Sequence, residues 1–313
     1  MKQRILNLNS LKISIGNITF KNPIWVASGT FGYGTEAPDL IDVNTLGAIV
    51  TKSITRQPRE GNPPPRIVET SSGMINSIGL ANIGVEQYIK EMLPVYDNLS
   101  TNIIMNIAGT DINEYIEILE LIENRSSNIA GYEINISCPN VKKGGMEFGV
   151  DFEMTAKLTE ELRKRTDRLI IMKLSPNVTD IVSIGKAAEN AGADGVSAIN
   201  TVVGMSINAK TIKSNIFTTY GGLSGPAIKP VGLAAVHKLY NQLSIPIIGM
   251  GGIVSSTDVL EYILAGSTAV QVGTANFRNP ASGENIIDLI AKYIEESSWE
   301  TTIDMVGKVQ TYN

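Results

Sequence analysis

The stretch Asn135-Ile136-Ser137-Cys138-Pro139-Asn140 carries the densest chemical signal in the chain. Cys138, the only cysteine, follows an apolar run, lies between two amide side chains and precedes a loop marked by Gly144-Gly145. A solitary cysteine is more often a small buried hydrophobe. In this setting the thiol reads as a base, since a thiol with a reference pKa of about 8.5 can serve once its thiolate is favoured. Lys52 and Lys173 each close a strongly apolar run. One such lysine would lay its stem on the core with the ammonium in water. Two of them, beside glycine turns, suit a bound anion better. Gly249-Met250-Gly251-Gly252 and Gly273-Thr274 are turns able to aim backbone N–H groups at a phosphate. The chemistry these residues suggest is proton abstraction next to a phosphate-bearing ligand. Glu133 is a single carboxylate without a partner motif and reads as structural. His237 is the only histidine and sits mid-way along a helical run, which argues against a Ser-His nucleophile or a His-ligated metal.

Something must bring these positions together. Eight short apolar, β-branched runs lie near residues 23–27, 47–51, 102–107, 131–137, 169–174, 194–199, 246–249 and 268–272. Between them, segments such as 112–124, 152–166, 181–191, 231–243 and 258–265 carry apolar residues at helical spacing. Eight alternating units fit a (β/α)8 TIM barrel, although an open doubly wound sheet gives similar alternation. Two features favour the barrel. Polar or glycine residues stand just past nearly every run, where a barrel would gather them at one mouth. The long segments 54–80 and 201–225, rich in Gly, Pro, Ser and Asn, each follow a candidate strand and are expected to be loops above that mouth. Ahead of the first strand, Gly16-Asn17 between two apolar runs signals an N-terminal β-hairpin that could close the other end. No linker or low-complexity tract divides residues 1–313, so a single domain is expected.

Composition narrows the function. With 26 basic against 31 acidic residues, a net charge of −5 and no basic run, a nucleic-acid partner is not expected. No apolar run approaches the roughly 18 to 20 residues that span a bilayer, and the first residues lack a secretory pattern, so a soluble, cytoplasmic protein is expected. One cysteine cannot supply the roughly four thiolates of an iron–sulfur cluster, which would have to sit on another chain.

The stretches Ala27-Ser28-Gly29-Thr30-Phe31-Gly32, Thr51-Lys52-Ser53, Gly61-Asn62-Pro63, Asn76-Ser77-Ile78-Gly79-Leu80 and Lys173-Leu174-Ser175-Pro176-Asn177 run in order along the chain. So do the Cys138 segment, Gly222-Leu223-Ser224-Gly225-Pro226 and Gly273-Thr274-Ala275-Asn276. Together they resemble class 1 dihydroorotate dehydrogenases, and Val141-Lys142-Lys143-Gly144-Gly145 is most similar to the NAD-linked class 1B catalytic subunit. The resemblance implies a flavoprotein of pyrimidine biosynthesis that oxidises dihydroorotate to orotate. Ser28, Lys52, Ser53, Asn106, Asn135, Lys173, Ile199, Gly225, Gly251, Gly252, Gly273 and Thr274 would hold FMN. Lys52, Asn76, Ser77, Ile78, Gly79, Leu80, Asn135, Asn140, Asn200 and Thr201 would meet the substrate, whose amide edges and carboxylate call for Asn side chains and a cation. Cys138 would take the C5 proton while hydride leaves C6 for the flavin, and Lys173 would support the reduced ring. A separate FAD and iron–sulfur subunit would carry electrons to NAD, in a homodimer or heterotetramer. Rival readings are a fumarate-linked class 1A type, another FMN barrel acting on pyrimidines, a phosphate-binding barrel lyase or isomerase without flavin, and a flavin-binding scaffold.

Overall fold

The computed structural model describes residues 8–36, 38–137 and 148–312. A hairpin, β1 (Ile13–Ile15) and β2 (Ile18–Phe20), leads into β3 (Ile24–Val26) and β4 (Ala48–Val50). An antiparallel pair, β5 (Ile67–Thr70) and β6 (Gly73–Asn76), comes next, followed by helices α1 (Gly84–Glu91) and α2 (Leu93–Tyr96). Strand and helix then alternate: β7 (Asn102–Ile107), α3 (Ile112–Glu123), β8 (Ile129–Asn135), α4 (Phe152–Arg163), β9 (Leu169–Lys173), α5 (Ile181–Asn190) and β10 (Gly195–Ala198). A second excursion holds β11 (Val202–Met205), the small hairpin β12 (Ile207–Asn208) and β13 (Lys213–Ser214), and β14 (Tyr220–Ser224). The chain finishes α6 (Lys229–Tyr240), β15 (Ile247–Met250), α7 (Ser256–Ala265), β16 (Ala269–Val272) and α8 (Ser282–Glu296).

Strands β3, β4, β7, β8, β9, β10, β15 and β16 close into a parallel barrel. Buried on both faces, they read as continuous Val/Ile-rich runs rather than alternating ones. Their outer faces pack against the helices in one core, which includes Ile49, Ile103, Ile134, Ile170 and Val270. The inner faces form a second core with Trp25, Ala48, Val50, Ile104, Leu169, Ile171, Ile248 and Ala269. The hairpin completes this inner core, as expected: Ile13, Ile15 and Phe20 join it from the N-terminal ends of the strands, and the Phe20 and Trp25 rings lie 4.6 Å apart. Burial of a side chain of this size contributes about 1.5 to 3 kcal/mol, so the hairpin acts as a plug.

Helix starts follow from local capping. Asp111, Asp151 and Asp180 each accept from backbone N–H groups of the first turn of α3, α4 and α5, and Ser255 with Asp258 forms a capping box on α7. The segments expected as loops behave differently. Strands β5, β6, β14 and β11 join in one four-stranded antiparallel sheet, so the connections after β4 and β10 build a common roof. The pairing of Asn76 with Gly222 is long-range, which is why local patterns do not announce it.

Candidate active site

At the C-terminal end of the barrel the inner apolar layers give way to a polar one. In register, Asn106 of β7 stands beside Glu133 of β8, Asn135 of β8 beside Lys173 of β9, and Ser197 of β10 beside Lys173. Glu133, fully buried, gathers these strands. Its Oε1 accepts from Asn106 Nδ2 at 2.7 Å and from Lys173 Nζ at 3.2 Å. Its Oε2 accepts from Ser197 Oγ at 2.8 Å and from Gln271 Nε2, on β16, at 2.6 Å. A buried charge is tolerated when it is paired and hydrogen-bonded, and this one is both. Because only the amide nitrogens can donate to a carboxylate, Asn106 Oδ1 and Gln271 Oε1 are left over; both are buried with no partner among the described residues.

Lys173 is thus 5% exposed with its ammonium held by Glu133, rather than lying with its head in water. Glu133, which the sequence offers as a structural residue, holds the Lys173 ammonium in place by the same contact. Sequence reasoning misses Ser197 and Gln271 as well. The signal available for all three is a polar residue within a mostly apolar strand, recurring on β7, β8, β9, β10 and β16.

Around this layer lie the other expected residues. Asn200 Nδ2 donates to Asn135 Oδ1 at 3.3 Å, which also accepts from Ser137 N, so two amides face each other above Lys173's strand. Asn200 Oδ1 accepts from Thr201 N. Ser28 and Ser53, past β3 and β4, stand with hydroxyl oxygens 3.4 Å apart. Lys52 is half-buried, and its ammonium has no partner among the described residues. It borders a cavity of about 680 Å³ that it shares with Gly29, Thr30, Asn82 and Asn276. Asn76, on the roof, donates to Gly222 O at 3.4 Å. Ser77, Ile78, Gly79 and Leu80 continue from it, secured by Asn62, which donates to Ser77 O and Ile78 O. No described hydrogen bond joins this loop to Lys173 or Asn106. Cys138 and Asn140 lie outside the described residues.

The glycine turns converge. Gly225, Gly251 and Gly252 all have positive φ, which side chains rarely adopt. A Cβ on Gly252 would come within 2.9 Å of both Gly225 O and Lys229 N, so the turn before α6 and the turn after β15 are in contact. Ile199 N donates to Met250 O beside them. Thr274, opening the turn after β16, donates to Ser224 Oγ at 2.8 Å. Lys229 locks the arrangement with ion pairs to Asp258 at 2.6 Å and Glu261 at 2.8 Å. Burial raises the pKa of Asp258, but Lys229, the Val254 N–H and the Ser255 hydroxyl outweigh it and hold the carboxyl below the usual aspartate range. Gly251-Gly252 does not open directly into a helix, since α7 begins at Ser256. The three backbone turns are thus joined, through the Gly252–Gly225 approach and the Thr274–Ser224 hydrogen bond.

Known proteins resemble this chain over nearly its whole length. A family profile described as Dihydroorotate dehydrogenase matches residues 10–294. A protein of Desulforamulus reducens named dihydroorotate dehydrogenase B (NAD(+)), catalytic subunit, is 51% identical over 298 residues, covering 95% of this chain and 98% of that protein. Proteins of the same name from Geotalea daltonii and Porphyromonas gingivalis are each 46% identical, covering 96% and 95% of this chain and 98% and 97% of theirs. Among solved structures, that of DHODH in complex with ferulenol from Eimeria tenella aligns with a TM-score of 0.80 over 97% of this chain and 91% of that one. At 21% identity this likeness speaks to the fold alone.

Proposed function

The chain belongs to the dihydroorotate dehydrogenase family, and from that premise we propose that it oxidises dihydroorotate to orotate as the FMN-binding catalytic subunit of an NAD-linked enzyme. The observation that carries this reading is the layer at the barrel mouth, where Glu133 holds the Lys173 ammonium and orients two amides whose carbonyl oxygens remain without partners among the described residues. These residues fit an FMN ring, which offers both donors and acceptors at its edge. The glycine turns at Gly225, Gly251-Gly252 and Gly273-Thr274 fit its phosphate. When bound, FMN supplies a two-electron acceptor for hydride.

The protein's own residues do the rest. Asn106, Asn135 and Lys173, with Ser28 and Ser53 at the rim, hold and orient the ring, and Lys173 places positive charge where negative charge develops. Asn76, Asn135 and Asn200 with Thr201 read the amide edges of the pyrimidine, with Asn140 and the Ser77 to Leu80 loop completing the set. Lys52, its ammonium free among the described residues, suits the substrate carboxylate or the flavin edge. Cys138 Sγ takes the proton from C5 of the substrate as a thiolate base. The relatives' shared name, a catalytic subunit, supports a partner that carries electrons onward to NAD, and the lone cysteine agrees with an iron–sulfur centre on that partner. A homodimer or a heterotetramer with this partner is the proposed assembly. A cytoplasmic setting agrees with the absence, among the described residues, of any helix long and apolar enough to cross a membrane.

Purified protein should show flavin absorption that bleaches on anaerobic mixing with dihydroorotate. Cys138→Ala should keep the absorption and lose about 10² to 10⁴ of the bleaching rate, the usual worth of a general base. Colourless protein that gains no flavin from added FMN overturns the reading, near-normal bleaching in the variant removes Cys138 as base, and turnover with fumarate by the isolated chain reassigns the acceptor.

A further inference from the structure

We infer that Glu133 is the positioning residue of this site: it fixes Asn106, Lys173 and Gln271 at the barrel mouth and, by opposing the Lys173 ammonium with a full negative charge, keeps the bound flavin harder to reduce than an unpaired lysine would. The inference rests on the proposed binding of FMN.

Three observations support it. First, the carboxylate is saturated, with two donors on each oxygen from four other strands. Of the four neighbours only the Ser197 hydroxyl could turn to accept a proton, whereas the ammonium and the two amide nitrogens can only donate, so the acceptor-only, ionised form satisfies the cluster most fully. Second, the cluster is buried. Glu133, Asn106 and Ser197 are fully buried and Gln271 is 1% exposed, so solvent does little to screen the pair. Third, Glu133 lies under the residues proposed to touch the ring while its own oxygens are already occupied. It therefore acts through them, and its effect on the flavin is one of charge and orientation.

The electrostatic consequence has a sign. Taking up two electrons and one proton gives the ring a negative charge. Facing a bare ammonium that charge is strongly stabilised; facing a neutral Lys173–Glu133 pair it is stabilised less. The pair thus lowers the flavin's tendency to hold electrons, which suits a site whose electrons must move on to a low-potential nicotinamide acceptor.

The test is the reduction equilibrium of bound FMN, measured by anaerobic titration against a reference dye, together with FMN affinity by fluorescence quenching. Glu133→Gln should shift the equilibrium about ten- to a hundredfold toward the reduced form, an upward change of about 30 to 60 mV at about 30 mV per tenfold for two electrons. FMN affinity should fall, because Gln offers one acceptor oxygen where the carboxylate has two and one of the two amides loses its partner. Ser197→Ala removes one donor without altering charge, so it should lower thermal stability and leave the equilibrium within about twofold. An unchanged equilibrium in Glu133→Gln, or equal shifts in both variants, overturns the proposal. Should Glu133→Gln fail to fold, the wild-type protein answers: the infrared difference between oxidised and reduced states should contain a shifted ionised-carboxylate band, and its absence overturns the proposal. Wild-type protein that binds no FMN at all defeats the underlying reading, a result distinct from FMN bound at an unshifted potential.

Discussion

Lys173 and Glu133 stabilise the protein only as a pair. Removing one partner of a buried ion pair costs about 3 to 5 kcal/mol, because the other is left as an uncompensated charge. Lys173→Met is therefore expected to lower unfolding free energy by that amount in urea denaturation. Lys173→Met combined with Glu133→Gln should cost less than the sum of the single changes, the signature of direct coupling. The sequence marks Lys173 plainly, since a cation that closes the apolar run Leu169 to Met172 stands at the mouth end of its strand. Glu133 is visible there only as an odd carboxylate. Its partners lie up to 138 residues away, and no local pattern states which strands a barrel will bring beside it.

At the scale of elements, the turn from Gly252 into α7 depends on Asp258, whose carboxylate accepts from Val254 N, Ser255 N and Ser255 Oγ at 2.9 Å and pairs with Lys229 of α6. Its pKa is depressed in the folded state, so its contribution is present above the ordinary aspartate value of 3.8 and is lost as pH falls through the lower folded value. Asp258→Asn should lose about 0.5 to 2 kcal/mol, the usual worth of a cap. The gap from wild type in thermal unfolding should narrow as pH drops below that value. FMN affinity should weaken with it, because the same carboxylate anchors the turn that bears Gly251 and Gly252. The eight barrel strands are legible in the sequence because both of their faces are apolar. The roof strands are not: β6 and β14 consist largely of glycine and polar residues, and they are strands because they pair with each other across the mouth.

For the molecule as a whole, the barrel separates two tasks along its axis. Its lower half is an apolar plug of hairpin side chains against Trp25 and Ile171, and its upper half is the polar layer with the roof above. Ile15→Ala, at a fully buried plug position, should cost about 2 to 5 kcal/mol in denaturant unfolding while leaving KM for dihydroorotate unchanged. The hairpin is legible from Gly16-Asn17, and its place at the strands' N-terminal ends follows from where Ile13, Ile15 and Phe20 are packed. The same axial division bears on how the chain is made. When a ribosome has delivered Glu133, another 138 residues must emerge before Gln271 supplies the fourth donor. Until then a nascent barrel that closed early would bury a carboxylate short of a ligand. The mouth is therefore finished last, and a polypeptide truncated before β16 has no satisfied resting form to settle into.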